Sequence, residues 1–277
     1  PPPAPPANAA QQLNTRGMNV LLITVDALRL GPLAPDAPDR ADFPNLTKLL
    51  DESVWFTHAI APATGTDVSL STLLTGRFDP FQRVDTTLLE AVHALDHRVY
   101  AAIPGEGTRY VGDTLPRRGV DHFVTVQTDW KQMNVSDHVS APATAIELAR
   151  SLKDAGDRHW LVWLHFFDVH EHHQIDVPKD LMDATHDGGS PVMHKYRALL
   201  RAIDNEVGTM LAEIDPATTI VVFCSDHGES LGEDPRLLDT HGMVTYAPLV
   251  RVPFALRVPG VKPAVRTDLV SLVDLAP

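Results

Sequence analysis

Three short runs of almost unbroken apolar residues, Asn19–Val25, Trp160–Phe167 and Thr219–Cys224, constrain the fold of this chain more than any other feature. Runs of this length, without the alternation of a strand that has one wet face, fit strands buried on both faces of a parallel sheet. Segments with helical spacing or cap signals separate them. Pro44–Leu50 and Thr87–Leu95 read as helices, and Ser69–Thr75 as a helix closed by Gly76. Ala143–Lys153 offers Ile146, Leu148 and Leu152 for burial, and a longer helix from Met193 to Ile214 carries Leu199, Leu200, Ile203, Val207, Met210 and Leu211 at helical spacing. Val54–Ala59, Val99–Ile103 and Phe123–Val126 read as further strands, and Pro178–Pro191 as a polar loop. Strand followed by helix predicts an α/β fold with a mostly parallel central sheet and helices on both faces, a three-layer α/β/α sandwich.

The 277 residues suit one large domain or two small ones, and 44% hydrophobic with 21% charged residues excludes disorder, collagen and coiled coil for the bulk of the chain. The opening Pro1-Pro2-Pro3-Ala4-Pro5-Pro6 reads as an extended linker over residues 1–17, which leaves 18–277 as the globular domain. At the other end Leu269–Pro277 is apolar and lacks a polar tail, so the expectation is a fragment whose C-terminal part is missing. Lysine plus arginine number 23 against 36 aspartate plus glutamate, a formal charge of -13 that disfavours nucleic acid as a partner. An acidic enzyme still acts on anionic substrates where metals or basic groups reverse the local potential. Cys224 is the only cysteine, so intrachain disulfides and zinc sites of the four-cysteine or two-cysteine, two-histidine kinds are excluded. No run of 18 apolar residues occurs to span a bilayer.

Ligands of open parallel sheets gather beyond the carboxyl ends of the strands. There the chain places Asp26, then Asp168 with His170, then Asp226 with His227. A strand-end aspartate has a plainer use as turn former or helix cap, and that reading applies to each taken singly. Asp226-His227 before Gly228 is the harder combination to place by accident. Mixed carboxylate and imidazole ligands suit a divalent ion, zinc or manganese ahead of calcium or magnesium. His165, inside an apolar run, is expected to be a buried, hydrogen-bonded histidine rather than a ligand.

Val20–Leu30 (VLLITVDALRL), Ala63–Arg77 (ATGTDVSLSTLLTGR), His165–His170 (HFFDVH), Val221–Asp234 (VVFCSDHGESLGED) and Val252-Pro253 follow one another in an order that resembles the sulfatase-like branch of the alkaline phosphatase superfamily. The resemblance runs over nearly the whole chain from Asn19 onward and implies an alkaline phosphatase-like sandwich. Counting back from Thr75-Gly76-Arg77, it implies that Thr66 is the nucleophile, with Asp26, Thr66, Asp226 and His227 around the principal metal. Asp168, His170 and His241 would then hold a second ion or the substrate's oxyanion, and Asp168 with His172 has the spacing of a second zinc site in some relatives. The other readings are that Thr64 or Thr66 is an N-cap with Asp67 in the first turn, and that His241, His172 and His173 are surface residues.

The chain departs from the sulfatase pattern at the nucleophile. True sulfatases carry cysteine or serine in a Cys/Ser-x-Pro-x-Arg signature, oxidised to formylglycine. Here the stretch is Thr66-Asp67-Val68-Ser69-Leu70, and the acidic pair common at the first motif is single, Asp26 followed by Ala27. The chain therefore resembles the phosphoryl-transferring members, which use an unmodified hydroxyl. The resemblance implies a metal-dependent phosphoester hydrolase or phosphoryl-group transferase, with a sulfuric-ester hydrolase and a non-catalytic metal- or anion-binding domain as alternatives. The expected substrate is a small-molecule, lipid-linked or glycan-linked phosphate or sulfate ester. Arg109, Arg117 and Arg118 stand in a loop that either meets its head group or faces solvent. An extracytoplasmic location, with membrane attachment through segments outside this chain, is also implied.

Overall fold

The structure, a computed structural model, describes residues 17–78, 84–105, 112, 114–126, 139–237, 241–242 and 244–276. Residues 1–16 of the Pro-rich opening and Arg109 lie outside them. Eight strands form one sheet: β1 (Asn19–Val25), β2 (Val54–Ile60), β3 (Arg98–Pro104), β4 (His122–Val126), β5 (Trp160–Phe166), β6 (Thr219–Ser225), β7 (Phe254–Arg257) and β8 (Ala264–Ser271). Their order is β4-β3-β5-β1-β6-β7-β2-β8, and β7 alone among them runs antiparallel to its neighbours.

The three apolar runs lie side by side at the centre, β1 between β5 and β6. Alternate residues of β1 feed different layers. Leu21, Ile23 and Val25 pack with α1 (Pro44–Asp51), α4 (Ala141–Ala155) and α5 (Pro191–Glu213), whereas Leu22 packs with α2 (Thr66–Thr75) and α3 (Leu88–His93). Each such fully buried side chain contributes about 1.5–3 kcal/mol. The three-layer α/β/α sandwich is therefore present.

Several local expectations shift. α2 starts at Thr66 rather than Ser69, and the loop at 178–191 contains a short helix, Lys179–Asp183. Within α4, Leu148 is buried but Ile146 is 50% exposed, because the helix turns its other face to the sheet. β7 and β8 add to the strands expected from apolar pattern. β8 is an exposed edge on which Arg266 and Asp268 form an ion pair at 2.7 Å, the kind of charge that discourages further strand pairing. Among the described residues no helix is long and apolar enough to cross a membrane.

Candidate active site

Because β1 and β6 are parallel and in register from Asn19↔Thr219 to Val25↔Ser225, Asp26 and Asp226 leave the sheet at the same level. Ala27 N–H and His227 N–H both donate to Asp226 Oδ1, at 3.1 and 2.8 Å. Ala27 holds a left-handed conformation, φ 58, unusual for a residue with a Cβ. Its carbonyl accepts the Tyr196 hydroxyl at 2.8 Å, so both backbone polar groups of the turn are pinned. The same phenol oxygen accepts Arg29 N–H at 3.0 Å.

Thr66 reaches this point from the other side, as the first residue of α2. The N-cap position is Gly65, no side chain caps the helix, and Asp67 instead bonds Val68 N–H. The Thr66 hydroxyl is therefore not a cap. It lies 3.0 Å from Asp26 Oδ2 and 3.2 Å from His227 Nε2. His227 Nδ1–H donates to the Gly228 carbonyl at 2.8 Å, which leaves the Nε2 lone pair facing Asp26 Oδ1 at 3.4 Å and Asp226 Oδ2 at 3.6 Å. Gly228 is required where it stands, since a Cβ there would come within 1.9 Å of the Pro248 carbonyl oxygen.

Both of those carboxylate oxygens, Asp26 Oδ1 and Asp226 Oδ2, are buried without a hydrogen-bond partner. Burial and the charge of Asp26 hold the Asp226 carboxyl above the usual carboxylate range. Burial pushes Asp26 the same way, but His170, His165 and His227 outweigh it and hold Asp26 low. Two buried acids side by side, with open oxygens and an imidazole lone pair among them, form a donor set for a divalent cation. Ligand atoms of Asp26, Asp226 and His227 all lie within 4.8 Å of one another, the one such group among the described residues.

His170 and His241 stand beside this cluster rather than in it. Their ring centroids are 4.8 Å apart, and that of His241 is 4.5 Å from that of His227. Each has a carboxylate on Nδ1 at 2.9 Å, Glu171 for His170 and Glu229 for His241. Burial disfavours charge on His170, but Asp26, Glu171 and Glu229 together raise its pKa to about 9. Glu171, Glu229 and Tyr196 have no role that spacing or motif order alone assigns. Glu229 stands two residues after His227 and Glu171 next to His170, so proximity in sequence is the signal for both, and Tyr196 opens the segment Tyr196–Glu213 that also resembles the sulfatase-like branch.

Asp168 does not join the site. One carboxylate oxygen accepts Ser140 N–H and Ala141 N–H, and the other the Ser140 hydroxyl, so the side chain caps the N-terminus of α4. His172 bonds the Val169 carbonyl through Nδ1 and packs against Tyr196, so Asp168 and His172 do not form a ligand pair. Arg118 is engaged by Glu90 and the Val84 and Asp85 carbonyls, and Arg117 lies over the Phe123 ring.

Solved structures share this fold at low identity. A lipoteichoic acid synthase, LtaP, from Listeria monocytogenes is 16% identical with a TM-score of 0.75, covering 94% of this chain and 70% of that one. The C-terminal periplasmic domain of EptC from Escherichia coli, in complex with Zn, is 15% identical with a TM-score of 0.74, covering 94% and 80%. The soluble domain of lipooligosaccharide phosphoethanolamine transferase A from Neisseria meningitidis is 16% identical with a TM-score of 0.67, covering 87% and 76%. No curated protein matches the chain by sequence. The model of the Sulfatase family matches residues 18–277, over the same strands that bring Asp26, Thr66, Asp226 and His227 together, and the chain belongs to that family.

Proposed function

We propose that this chain is a metal-dependent phosphoester hydrolase or phosphoryl-group transferase with Thr66 as its nucleophile. One observation carries the reading: a buried threonine hydroxyl at a helix N-terminus, within 3.0–3.2 Å of Asp26 and His227 and beside two carboxylate oxygens without hydrogen-bond partners. Asp26, Asp226, His227 and Thr66 would hold the ion. When bound, a divalent ion supplies Lewis-acid stabilisation of charge on the phosphoryl oxygens and on the attacking oxygen.

The chain's own residues do the rest. As Thr66 Oγ1 attacks phosphorus its proton leaves along the hydrogen bond to Asp26 Oδ2 and passes on to water, since a carboxylate held low does not keep it. The bond from phosphorus to the departing oxygen breaks, and a phosphothreonine forms. The N-terminus of α2 aims its first N–H groups and its dipole at the anionic group. His170 and His241, each turned by a carboxylate on Nδ1, line the side from which the leaving oxygen departs and is protonated. Water or an acceptor alcohol then attacks phosphorus and frees Thr66, giving hydrolysis or transfer respectively.

The substrate proposed is a small, lipid-linked or glycan-linked phosphoester, and the location extracytoplasmic. The lipoteichoic acid synthase and the phosphoethanolamine transferase among the fold neighbours agree with this class. The test is turnover of aryl phosphate mono- and diesters and of aryl sulfates with zinc or manganese, with acid quench and peptide mass for a phosphate on Thr66. Activity on the phosphate esters with a phosphorylated Thr66 is expected. Turnover of aryl sulfate alone overturns the proposal.

A further inference from the structure

We infer that His165 is a positioning residue for Asp26, the last link of a buried hydrogen-bond chain that begins at Trp163 and fixes the plane of the Asp26 carboxylate. This rests on the reading of Asp26 as a cation ligand and adds to it the residues that aim the ligand. Thr24 of β1 and His165 of β5 are direct partners across the parallel pair, and Trp163, two residues before His165, projects from the same face. All four side chains, Trp163, Thr24, His165 and Asp26, are fully buried.

The direction of the chain follows from what each group is able to give. Trp163 Nε1–H only donates, and Thr24 Oγ1 receives it at 2.9 Å. The Asp26 carboxylate at the other end only accepts, so His165 Nε2, 3.3 Å from Oδ2, carries a hydrogen. With that hydrogen on Nε2 the Nδ1 of the neutral ring is bare, and it accepts the Thr24 hydroxyl at 2.8 Å. The Thr66 hydroxyl also meets Asp26 Oδ2, at 3.0 Å. One oxygen of Asp26 is thus held from two sides, by β5 and by α2, while Oδ1 has no partner and lies with Asp226 Oδ2 and His227 Nε2.

A carboxylate anchored in this way is preorganised to offer one oxygen to a cation. Groups that orient metal ligands typically contribute about 10- to 100-fold to metal affinity. A core histidine kept only for packing would contribute to stability and leave cation affinity untouched. Zinc and manganese binding, measured by calorimetry, separates the two. His165→Phe should weaken binding about 10- to 100-fold. His165→Gln, whose amide N–H reaches toward the same oxygen, should recover part of the loss. Thr24→Val keeps the imidazole but removes its partner on Nδ1, so it should weaken binding in the same direction by less. It serves as the test should His165→Phe fail to fold.

Histidine ¹⁵N spectra of the metal-free protein supply an arm that does not depend on metal. They should show His165 protonated on Nε2 and bare on Nδ1. Hydrogen on Nδ1, or folded His165→Phe and Thr24→Val variants that bind zinc and manganese as the parent does, would overturn the inference. If the parent itself bound neither ion, the cation reading would fall separately, and the protonation of His165 would still decide whether this chain of hydrogen bonds ends on Asp26.

Discussion

Neighbouring strand ends of this sheet carry the same residue and put it to opposite uses. At the tips of β1 and β6, Asp26 and Asp226 each keep one buried oxygen without a partner. At the tip of β5, Asp168 is equally buried, yet Ser140 and Ala141 occupy both of its oxygens at the start of α4. Asp204 repeats the second pattern from α5, taking Leu46 N–H at 2.7 Å and the Asn45 amide at 3.1 Å at the start of α1. Neither α1 nor α4 has a side-chain cap of its own, so each borrows an aspartate from a distant element. Burial of a carboxylate is tolerated when donors saturate it, and where they do not, the open oxygens mark a place for a cation.

The largest expected effect is on chemistry. Thr66→Ala should lower turnover on the order of 10³-fold or more, while Thr66→Ser retains a substantial fraction. Because the Thr66 hydroxyl faces Asp26 and caps nothing, the melting temperature of the alanine variant should move by only a few degrees. An alanine variant with parental turnover would remove Thr66 from the mechanism.

Next in size is an exchange of stability responses between the two classes of aspartate. Zinc or manganese at about 100 times its dissociation constant should stabilise the parent by about 2.7 kcal/mol, or roughly 5–10 °C. Asp226→Asn should abolish that rise and, by removing the repulsion with Asp26, should leave the metal-free protein more stable than the parent. Asp168→Ala should do the reverse, costing about 1–3 kcal/mol for its lost hydrogen bonds while keeping the rise with metal. Thermal melts with and without ion read both. The same response from both variants would erase the distinction.

How far the chain announced all this depends on where each partner lies. β1, β5 and β6 were legible because burial on both faces leaves an uninterrupted apolar run, and the meeting of Asp26, Thr66, Asp226 and His227 followed from the motif order. β7 is apolar but only four residues long, too short a run to read as a strand, and β8 carries Arg266 and Asp268 on an exposed edge and so lacks an apolar signature. The first turn of α2, Thr66-Asp67-Val68, has no cap before it and only one apolar residue, so spacing alone starts the helix at Ser69, and the motif count is what sets Thr66 at its beginning. The capping role of Asp168 is not legible beside His170, because its partners lie 27 and 28 residues upstream. The contact of His165 with Asp26 was hidden for a related reason. It requires the register that sets Thr24 opposite His165, and no pattern in either strand alone contains it.

A smaller effect tests the clamp at the first strand end. Tyr196→Phe leaves the Ala27 carbonyl and Arg29 N–H without the phenol and should cost about 1–3 kcal/mol. Ala27→Gly, which suits φ 58, should then recover part of it. A double-mutant cycle by denaturant melts measures this, and strict additivity would mean that the phenol does not hold the turn.

The smallest expected effect concerns Asp42, a buried carboxylate saturated by a group that titrates. It accepts His186 N–H at 2.9 Å and His186 Nδ1 at 2.8 Å, tying residues 184–190 to the end of the 3-10 turn Pro38–Asp42. The hydrogen bond to Asp42, and then its charge, raise the His186 pKa above the ordinary value of 6.5; Asp39 adds to this, and desolvation and Arg197 oppose it. A histidine whose folded pKa is raised contributes stability that is fully present below the unfolded value and is lost as pH rises through the folded one. The tie should therefore be tightest below about pH 6.5 and loosen above it. His186 is largely exposed, so solvent screens the pair and the effect stays local. Amide exchange at His186, corrected for its intrinsic pH dependence, should show protection that declines above that point in the parent and is flat in Asp42→Asn. The same pH profile in both proteins would mean that backbone packing, not the imidazolium, holds this loop. Zinc or manganese affinity should be equal in the two, because Asp42 belongs with the saturated carboxylates and not with Asp26 and Asp226.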